Sequence, residues 1–167
     1  MLEYLSKIMS LEQALVKART LKNLNKKLVF TNGCFDLFHL GHLRYLAEAR
    51  ALGDFLIVGL NSDLSVSRLK GPLRPIRNET ERAEMLAGLI MVDAVIIFEA
   101  DTPLELIKSL KPQYLVKGGD WAEKDIVGAA QTRSWGGETK SLNLLPGYST
   151  SNLIEKIFRL SRLDQEK

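Results

Sequence analysis

The sequence predicts an α/β protein built on a doubly wound, parallel five-stranded sheet with helices on both faces. Short apolar runs alternate with segments of helical periodicity along almost the whole chain. The run Phe55 to Leu60 is continuously apolar, as a strand buried on both faces must be. Capping signals stand between strands, and parallel neighbours need such crossover helices.

Each element has its own signal. Ser10 to Leu24 reads as an amphipathic helix, with Leu11, Leu15 and Ala18 near helical spacing and Ser10 as its cap. Lys27 to Thr31 is the first strand, which the Asn32-Gly33 breaker pair is expected to end. Leu43 to Leu52 is the next helix, with Gly53 as its C-cap candidate. Phe55 to Leu60 is the second strand. Asn61 to Arg77 reads as a loop with a short helix near Leu64 to Leu69. Asn78, with Glu81 three positions on, starts a helix to about Leu89. Ala94 to Phe98 is the third strand. Thr102-Pro103-Leu104-Glu105 orders a cap, a first-turn proline and an N3 glutamate ahead of a helix to Leu110. Tyr114 to Val116 is the fourth strand. A helix from about Lys124 to Trp135 precedes a fifth strand, Thr139 to Leu145. Ser149 to about Leu163 is the last helix, with Leu153, Ile154, Ile157, Phe158 and Leu160 on its apolar side.

Composition sets the class. The chain has 167 residues, 46% of them hydrophobic and 26% charged. That suits one domain over 1–167, with 1–25 as an N-terminal helical extension. Bases number 23 and acids 20, for a net charge of +3. So small an excess does not argue for a nucleic-acid partner. No run reaches the ~18 apolar residues of a membrane span, and the N-terminus does not read as a signal peptide. Cys34 is the single cysteine, which excludes an internal disulfide and suits a reducing cytoplasm. The first and last helices are candidate surfaces for a homo-oligomer or ordinary packing.

Three motifs fall at the carboxyl ends of predicted strands, where open α/β sheets bind ligands. The first is TNGCFDLFHLGH, Thr31 to His42, which holds both histidines of the chain, His39 and His42. Gly33 lets backbone approach a ligand, and Gly41 keeps the turn between the rings clear. A helix start favours phosphate, and two imidazoles can donate to its oxygens as charge develops. Zinc ligation and core packing are the competing readings. Zinc lacks a second cysteine and a third histidine here. The second motif, Asn61 to Pro75, gathers Asp63, Arg68, Lys70 and Arg74, with Arg77 just beyond. It is either a polyphosphate clamp or a solvated basic loop. The third, VKGGDW, Val116 to Trp121, offers Lys117, a close-approach glycine pair and Asp120. It is either a ligand turn or a plain one. Trp121 suits stacking on a base or partial burial. The hydroxyls of PGYSTS, Pro146 to Ser151, cap the last helix or hold phosphate with it. Cys34 reads as a small packing residue rather than a nucleophile.

GCFDLFHLGH with GYSTS downstream resembles the cytidylyltransferase-like nucleotidylyltransferase superfamily, marked by an HxGH motif and an STT-type helix start. Within it the ordered set is similar to the heptose 1-phosphate adenylyltransferases. TNGCFDLFHLGH, NSD with RLKGPLRP, DTPLELI, LVKGGDW and GYSTSNLIEKI cover Lys27 to about Phe158. The resemblance implies a Rossmann-like fold and magnesium-dependent adenylyl transfer from ATP to D-glycero-β-D-manno-heptose 1-phosphate, giving ADP-heptose and pyrophosphate for the lipopolysaccharide inner core. His39, His42 and Lys70 would be catalytic. Cys34, Phe35, Gly41, Gly119, Asp120, Trp121, Gly147, Ser149, Thr150 and Ser151 would hold ATP. Asp36, Asn61, Asp63, Arg74 and Lys117 would lie by the sugar phosphate. No metal ligand is assigned. The resemblance is to a stand-alone form that needs a separate sugar kinase. The arginine of the RTEGISTT-like segment found in glycerol-3-phosphate cytidylyltransferases is absent, which counts against cytidylyl transfer to an alcohol phosphate. Arg74, Arg77 or Lys117 would replace it. A non-catalytic nucleotide-binding module is the third reading.

Overall fold

The computed structural model describes residues 2–165. Five strands form one sheet: β1 (Leu28–Gly33), β2 (Phe55–Asn61), β3 (Ala94–Phe98), β4 (Tyr114–Gly118) and β5 (Glu138–Leu142). Their order is β3-β2-β1-β4-β5, and every neighbouring pair is parallel. This is the doubly wound sheet that the alternating pattern predicts.

The strands alternate their side chains between two cores, as the period of two requires. On one face Val29, Leu56, Val58, Val95 and Val116 pack against α2 (Leu40–Ala51) and α4 (Glu79–Ala87), through Leu46, Ala49, Ala83 and Leu86. On the other, Phe30, Ile57, Ile96 and Leu115 meet α1 (Leu11–Asn23), α5 (Leu104–Leu110) and α6 (Ala129–Ser134), through Ala14, Leu21, Ile107 and Ala129. Each fully buried branched side chain contributes about 1.5–3 kcal/mol of transfer free energy. These two rows therefore supply the main driving force. The remaining helices, α3 (Asp63–Lys70) and α7 (Thr150–Gln165), stand near the carboxyl ends of the strands.

Residues 2–25 are built into this frame. A short 3-10 helix, Glu3–Lys7, leads to Ile8, which bridges to Val95 in parallel. The Met9 N–H donates to the Val95 carbonyl at 2.9 Å. Helix α1 starts with a capping box between Ser10 and Gln13. Helix α4 starts with another, between Asn78 and Glu81.

Several boundaries differ from the sequence reading, each for a local reason. Strand β1 continues through Asn32 and Gly33, because both pair with β2, at Gly59 and Leu60. Helix α2 starts at Leu40, not Leu43, since His39 itself caps it. The residue capping α2 at its other end is Leu52, in right-handed geometry. Gly53 serves packing instead: a Cβ there would lie 2.7 Å from the Lys27 carbonyl and from Val29. Pro103 takes the N-cap position of α5, without a side-chain bond. The helix expected over Lys124 to Trp135 breaks into a 3-10 turn, Glu123–Asp125, and α6. The break is at Gly128, whose φ of 91° interrupts the helix. Strand β5 ends at Leu142, short of Leu145.

Gly53→Ala is expected to destabilise the fold by about 1–3 kcal/mol, the usual range for overpacking. The urea midpoint measures it. The carbonyl it would strike belongs to backbone and cannot rotate away.

Candidate active site

The strand order reverses between β1 and β4, and ligands bind such sheets in the crevice beside that point. A cleft of about 640 Å³ opens there. Its floor is the carboxyl end of β1, from Asn32 to Asp36, beside Lys117 and Gly118 of β4. Lys70 at the end of α3, Thr102 and Pro103 before α5, and Thr150 and Ser151 at the start of α7 form the walls.

The histidine pair sits at the start of α2. The His39 ring caps the helix, accepting the His42 N–H at Nδ1 over 3.3 Å. That bond needs Nδ1 unprotonated, so the neutral ring carries its proton on Nε2. The two rings stack with centroids 3.7 Å apart. Gly41 permits the arrangement: a Cβ there would lie 3.0 Å from the His39 ring and 3.2 Å from Tyr148. Phe35 and Phe38 flank His42, with centroids at 5.0 Å and 5.6 Å. Burial, and then the neighbouring His39, push the His42 pKa down to about 4. Burial lowers His39 as well. Both rings are therefore neutral at pH 7, and each has one N–H to donate. Among the described residues, buried His42 Nδ1 has no partner.

Two polar clusters hold the loops around the pair. Arg82, buried on α4, donates to the carbonyls of Cys34 at 2.6 Å, Asn61 at 2.9 Å and Arg77 at 3.0 Å. Its other Nη meets Asp63 Oδ1 at 2.7 Å. Asp36, equally buried, accepts from Arg74 Nε at 2.5 Å and from the Ile76 and Arg77 N–H groups at 2.8 and 2.9 Å. Burial alone would raise the Asp36 pKa, but these bonds outweigh it and hold it below the ordinary carboxylate value. Phe35 takes a left-handed φ of 45° between the clusters, which lets its ring fold back under Gly33. Such a conformation costs a non-glycine residue about 1 kcal/mol or more.

The sequence-derived candidates divide into groups. Cys34, Phe35, Asp36 and His42 line the cleft, as do Asn61, Lys70 and Arg74. So do Lys117, Trp121, Thr150 and Ser151. Asp36 and Arg74 face it while bonded to each other. Burial raises the Cys34 pKa despite Lys70, Arg82, Lys117 and Arg74 nearby, which keeps the thiol protonated. His39 and Gly41 build the helix start behind His42. Gly119, at φ 119°, lies against the Trp121 ring, and Asp120 is exposed beside it. Gly147 turns at φ 83°, and Ser149 caps α7 by accepting the Asn152 N–H at 3.1 Å. Asp63 faces a separate hollow of about 700 Å³, alongside Arg77 and Glu79. Sequence reading missed Arg82. Its signal was an arginine in register with Ala83 and Leu86 on the apolar face of α4. Asn32, Thr102, Asp125 and Ile126 also line the cleft unanticipated.

Two outcomes follow. The folded pKa of His42, about 4, lies below its ordinary 6.5. As pH falls through that window the unfolded chain takes up the proton first, so stability present above about 6.5 is lost toward 4. His39 acts in the same direction. Urea midpoints at pH 7 and 4.5 should show the fall, reduced in His42→Phe. Arg82→Met keeps bulk but strips donors from one buried and two part-buried carbonyls and from Asp63. It should cost about 3–5 kcal/mol in chemical denaturation.

Comparison with known proteins fits this geometry. The family described as Cytidylyltransferase-like matches residues 30–156. Bifunctional protein HldE of Syntrophotalea carbinolica is 50% identical over 164 residues, covering 98% of this chain and 33% of that protein. Bifunctional protein HldE of Geotalea uraniireducens is 56% identical over 144 residues, covering 86% and 29%. The chain thus spans about a third of the length of the curated relatives it matches. The lipopolysaccharide core biosynthesis protein from Thermoplasma volcanium superposes with a TM-score of 0.59 at 27% identity, over 72% of this chain and 97% of that one. Pantothenate synthetase from Thermus thermophilus, with a TM-score of 0.53 at 14% identity, covering 83% and 62%, shares the fold. The family match reaches from β1 into α7 and takes in the whole cleft, and the chain belongs to the cytidylyltransferase-like family.

Proposed function

We propose that the chain transfers an adenylyl group from ATP to D-glycero-β-D-manno-heptose 1-phosphate. The products are ADP-heptose and pyrophosphate, the former for the lipopolysaccharide inner core. The observation that carries the transfer is a neutral histidine pair on a helix start, beside a cleft that also holds Lys70 and Lys117. What supports the sugar is the ordered likeness of the motifs to heptose 1-phosphate adenylyltransferases, and the relationship to bifunctional HldE proteins and a lipopolysaccharide core biosynthesis protein. The acceptor is itself a phosphorylated sugar, so a sugar kinase acts upstream.

In this reading the acceptor's phosphate oxygen attacks the α-phosphorus of ATP. The bond to the β-phosphate oxygen breaks and pyrophosphate leaves with the electron pair. The nucleophile is already an anion, so no general base is needed. Catalysis is then positioning and charge stabilisation. The imidazole N–H groups donate to phosphate oxygens as charge moves toward the leaving group. Lys70, at the mouth of the cleft, neutralises that charge. Thr150 and Ser151 offer hydroxyls and N–H groups at the start of α7, where a helix favours anions. Trp121 and Gly119 stand on the side of the ribose and base. Magnesium suits this cleft as the companion of a triphosphate, since it needs only one or two carboxylates beside phosphate and water. Asp125 lines the wall and would serve as one. When bound, the ion adds charge neutralisation on the phosphates.

Pyrophosphate release, measured with ATP or CTP against a panel of sugar 1-phosphates and glycerol 3-phosphate, tests the reading. ATP with the heptose phosphate should be the preferred pair. A preference for CTP would point to cytidylyl transfer, and no release with any pair to a binding module. His39→Ala and His42→Ala should each lower kcat by on the order of a hundredfold or more. Unchanged kcat in both would remove the pair from the reaction. His39→Ala also removes a helix cap and should cost about 1 kcal/mol of stability.

A further inference from the structure

We propose that Tyr45 is a positioning residue: its buried hydroxyl fixes the fork between β1 and β4 where the cleft opens, and so sets the histidine helix against the floor of the site. Its effect on turnover rests on the adenylyl-transfer reading; the fork itself does not.

The first ground is where the ladder stops. Strands β1 and β4 pair from Val29 and Tyr114 as far as Thr31 and Val116. Each strand then runs on with its other neighbour, β1 to Gly33 beside Leu60 and β4 to Gly118 beside Leu142. Asn32 and Gly33 thus lie beyond the β1–β4 ladder, as do Lys117 and Gly118, and all four line the cleft. Tyr45 bonds to both residues of the last rung. Its hydroxyl donates to the Val116 carbonyl at 3.2 Å and meets Thr31 Oγ1 at 2.5 Å. The protons balance: Thr31 donates to Tyr45, and Tyr45 donates to Val116.

The second ground is the chemistry buried there. Thr31 is 0% exposed and Tyr45 4%. Buried hydroxyls are costly unless bonded, and a valine and a phenylalanine would fill the same space. What the hydroxyls add is direction, since a hydrogen bond fixes distance and angle where apolar contact does not. Burial raises the Tyr45 pKa, so the phenol keeps the proton it donates. Tyr45 stands three residues beyond His42 on α2, on the same side of the helix. Anchoring it to Thr31 and Val116 fixes where α2 sets the His42 ring relative to both strand ends. The Tyr45 ring also packs at Gly118, where a Cβ would lie 3.2 Å from it and 2.8 Å from Leu144. Leu144 belongs to the segment that leads into α7, so the same notch seats that segment. Neither Thr31 nor Tyr45 lines the cleft, and their action on a ligand passes through the groups they hold.

Wild type, Tyr45→Phe, Thr31→Val, Thr31→Ser and the Tyr45→Phe/Thr31→Val double variant are compared at a temperature where circular dichroism shows each folded. Tyr45→Phe and Thr31→Val should each lower kcat for pyrophosphate release about tenfold or more, with both KM values nearly unchanged. Thr31→Ser keeps the hydroxyl and loses a methyl, and it should retain most of kcat. The double variant should be no worse than Tyr45→Phe, because the Thr31 bond is already gone. Wild-type kcat in folded Tyr45→Phe or Thr31→Val would overturn the proposal. So would losses that add in the double variant, or a fall in Thr31→Ser as large as in Thr31→Val. The second readout needs no turnover. In hydrogen exchange read by mass spectrometry, peptides containing residues 31–33 and 116–118 should exchange about tenfold faster in Tyr45→Phe, while those of β2 and β3 keep the wild-type rate. Unchanged exchange at the fork, or a rise shared equally by all strands, would also overturn it. Wild type that releases no pyrophosphate while the exchange contrast holds would count against the transfer reading and not against the fork.

Discussion

One buried guanidinium organises this molecule. Arg82 draws in the carbonyls of Cys34, Asn61 and Arg77 and the carboxylate of Asp63. Those groups end β1, end β2, precede α4 and open α3. Without it, three backbone oxygens, that of Asn61 buried and those of Cys34 and Arg77 part-buried, would lose their donor. A neutral donor would serve one or two of them; the five N–H groups of an arginine fork serve all four acceptors at once. The cleft is therefore shaped from behind, by a residue that does not line it.

Asp36 plays the complementary role with an anion. It gathers the Arg74 side chain and two N–H groups of the segment leading into α4. Together the two residues tie the loop after α3 to the turn after β1. That turn carries Phe35 in left-handed geometry, and Phe35 packs edge-on against His42. The chain of contacts runs from a buried ion pair, through a strained backbone, to the imidazole whose neutrality the site needs. Burial and the adjacent His39 keep His42 neutral, while Lys117 reaches the Asn32 oxygens at 3.5 and 3.4 Å.

Much of this was legible in the sequence. The alternation of strands and helices needs no tertiary information, since burial on both faces demands continuous apolar runs. The N-cap at Ser10 and the capping box at Asn78 were visible because they are local, while the reciprocal bond from Gln13 to Ser10 came from the structure. The HxGH segment, Lys70, Lys117 and the start of α7 could be assigned to one end of the sheet by the rule that ligands bind at the strands' carboxyl ends. Boundaries were read less well where a long-range contact overrides local preference. Asn32-Gly33 reads as a breaker pair, yet β2 offers both residues a ladder. Gly53 reads as a helix cap, yet the Lys27 carbonyl is what demands it. Gly128 hides inside an otherwise helical run and ends it through its φ.

The sequence by itself determined the fold class, the family resemblance and the end of the sheet where the chemistry sits. These depend on periodicity and on short ordered motifs. Tertiary structure alone decided which charges are paired. Asp36, Asp63 and Arg74 look like ligand groups in a linear reading, but they meet partners 38, 19 and 38 residues away. Lys117 looks like one basic residue among several, and among the described residues it lies in the cleft without the carboxylate partner that Arg74 and Arg82 have. Pairing of charges is a property of distance in space, and spacing along the chain does not encode it.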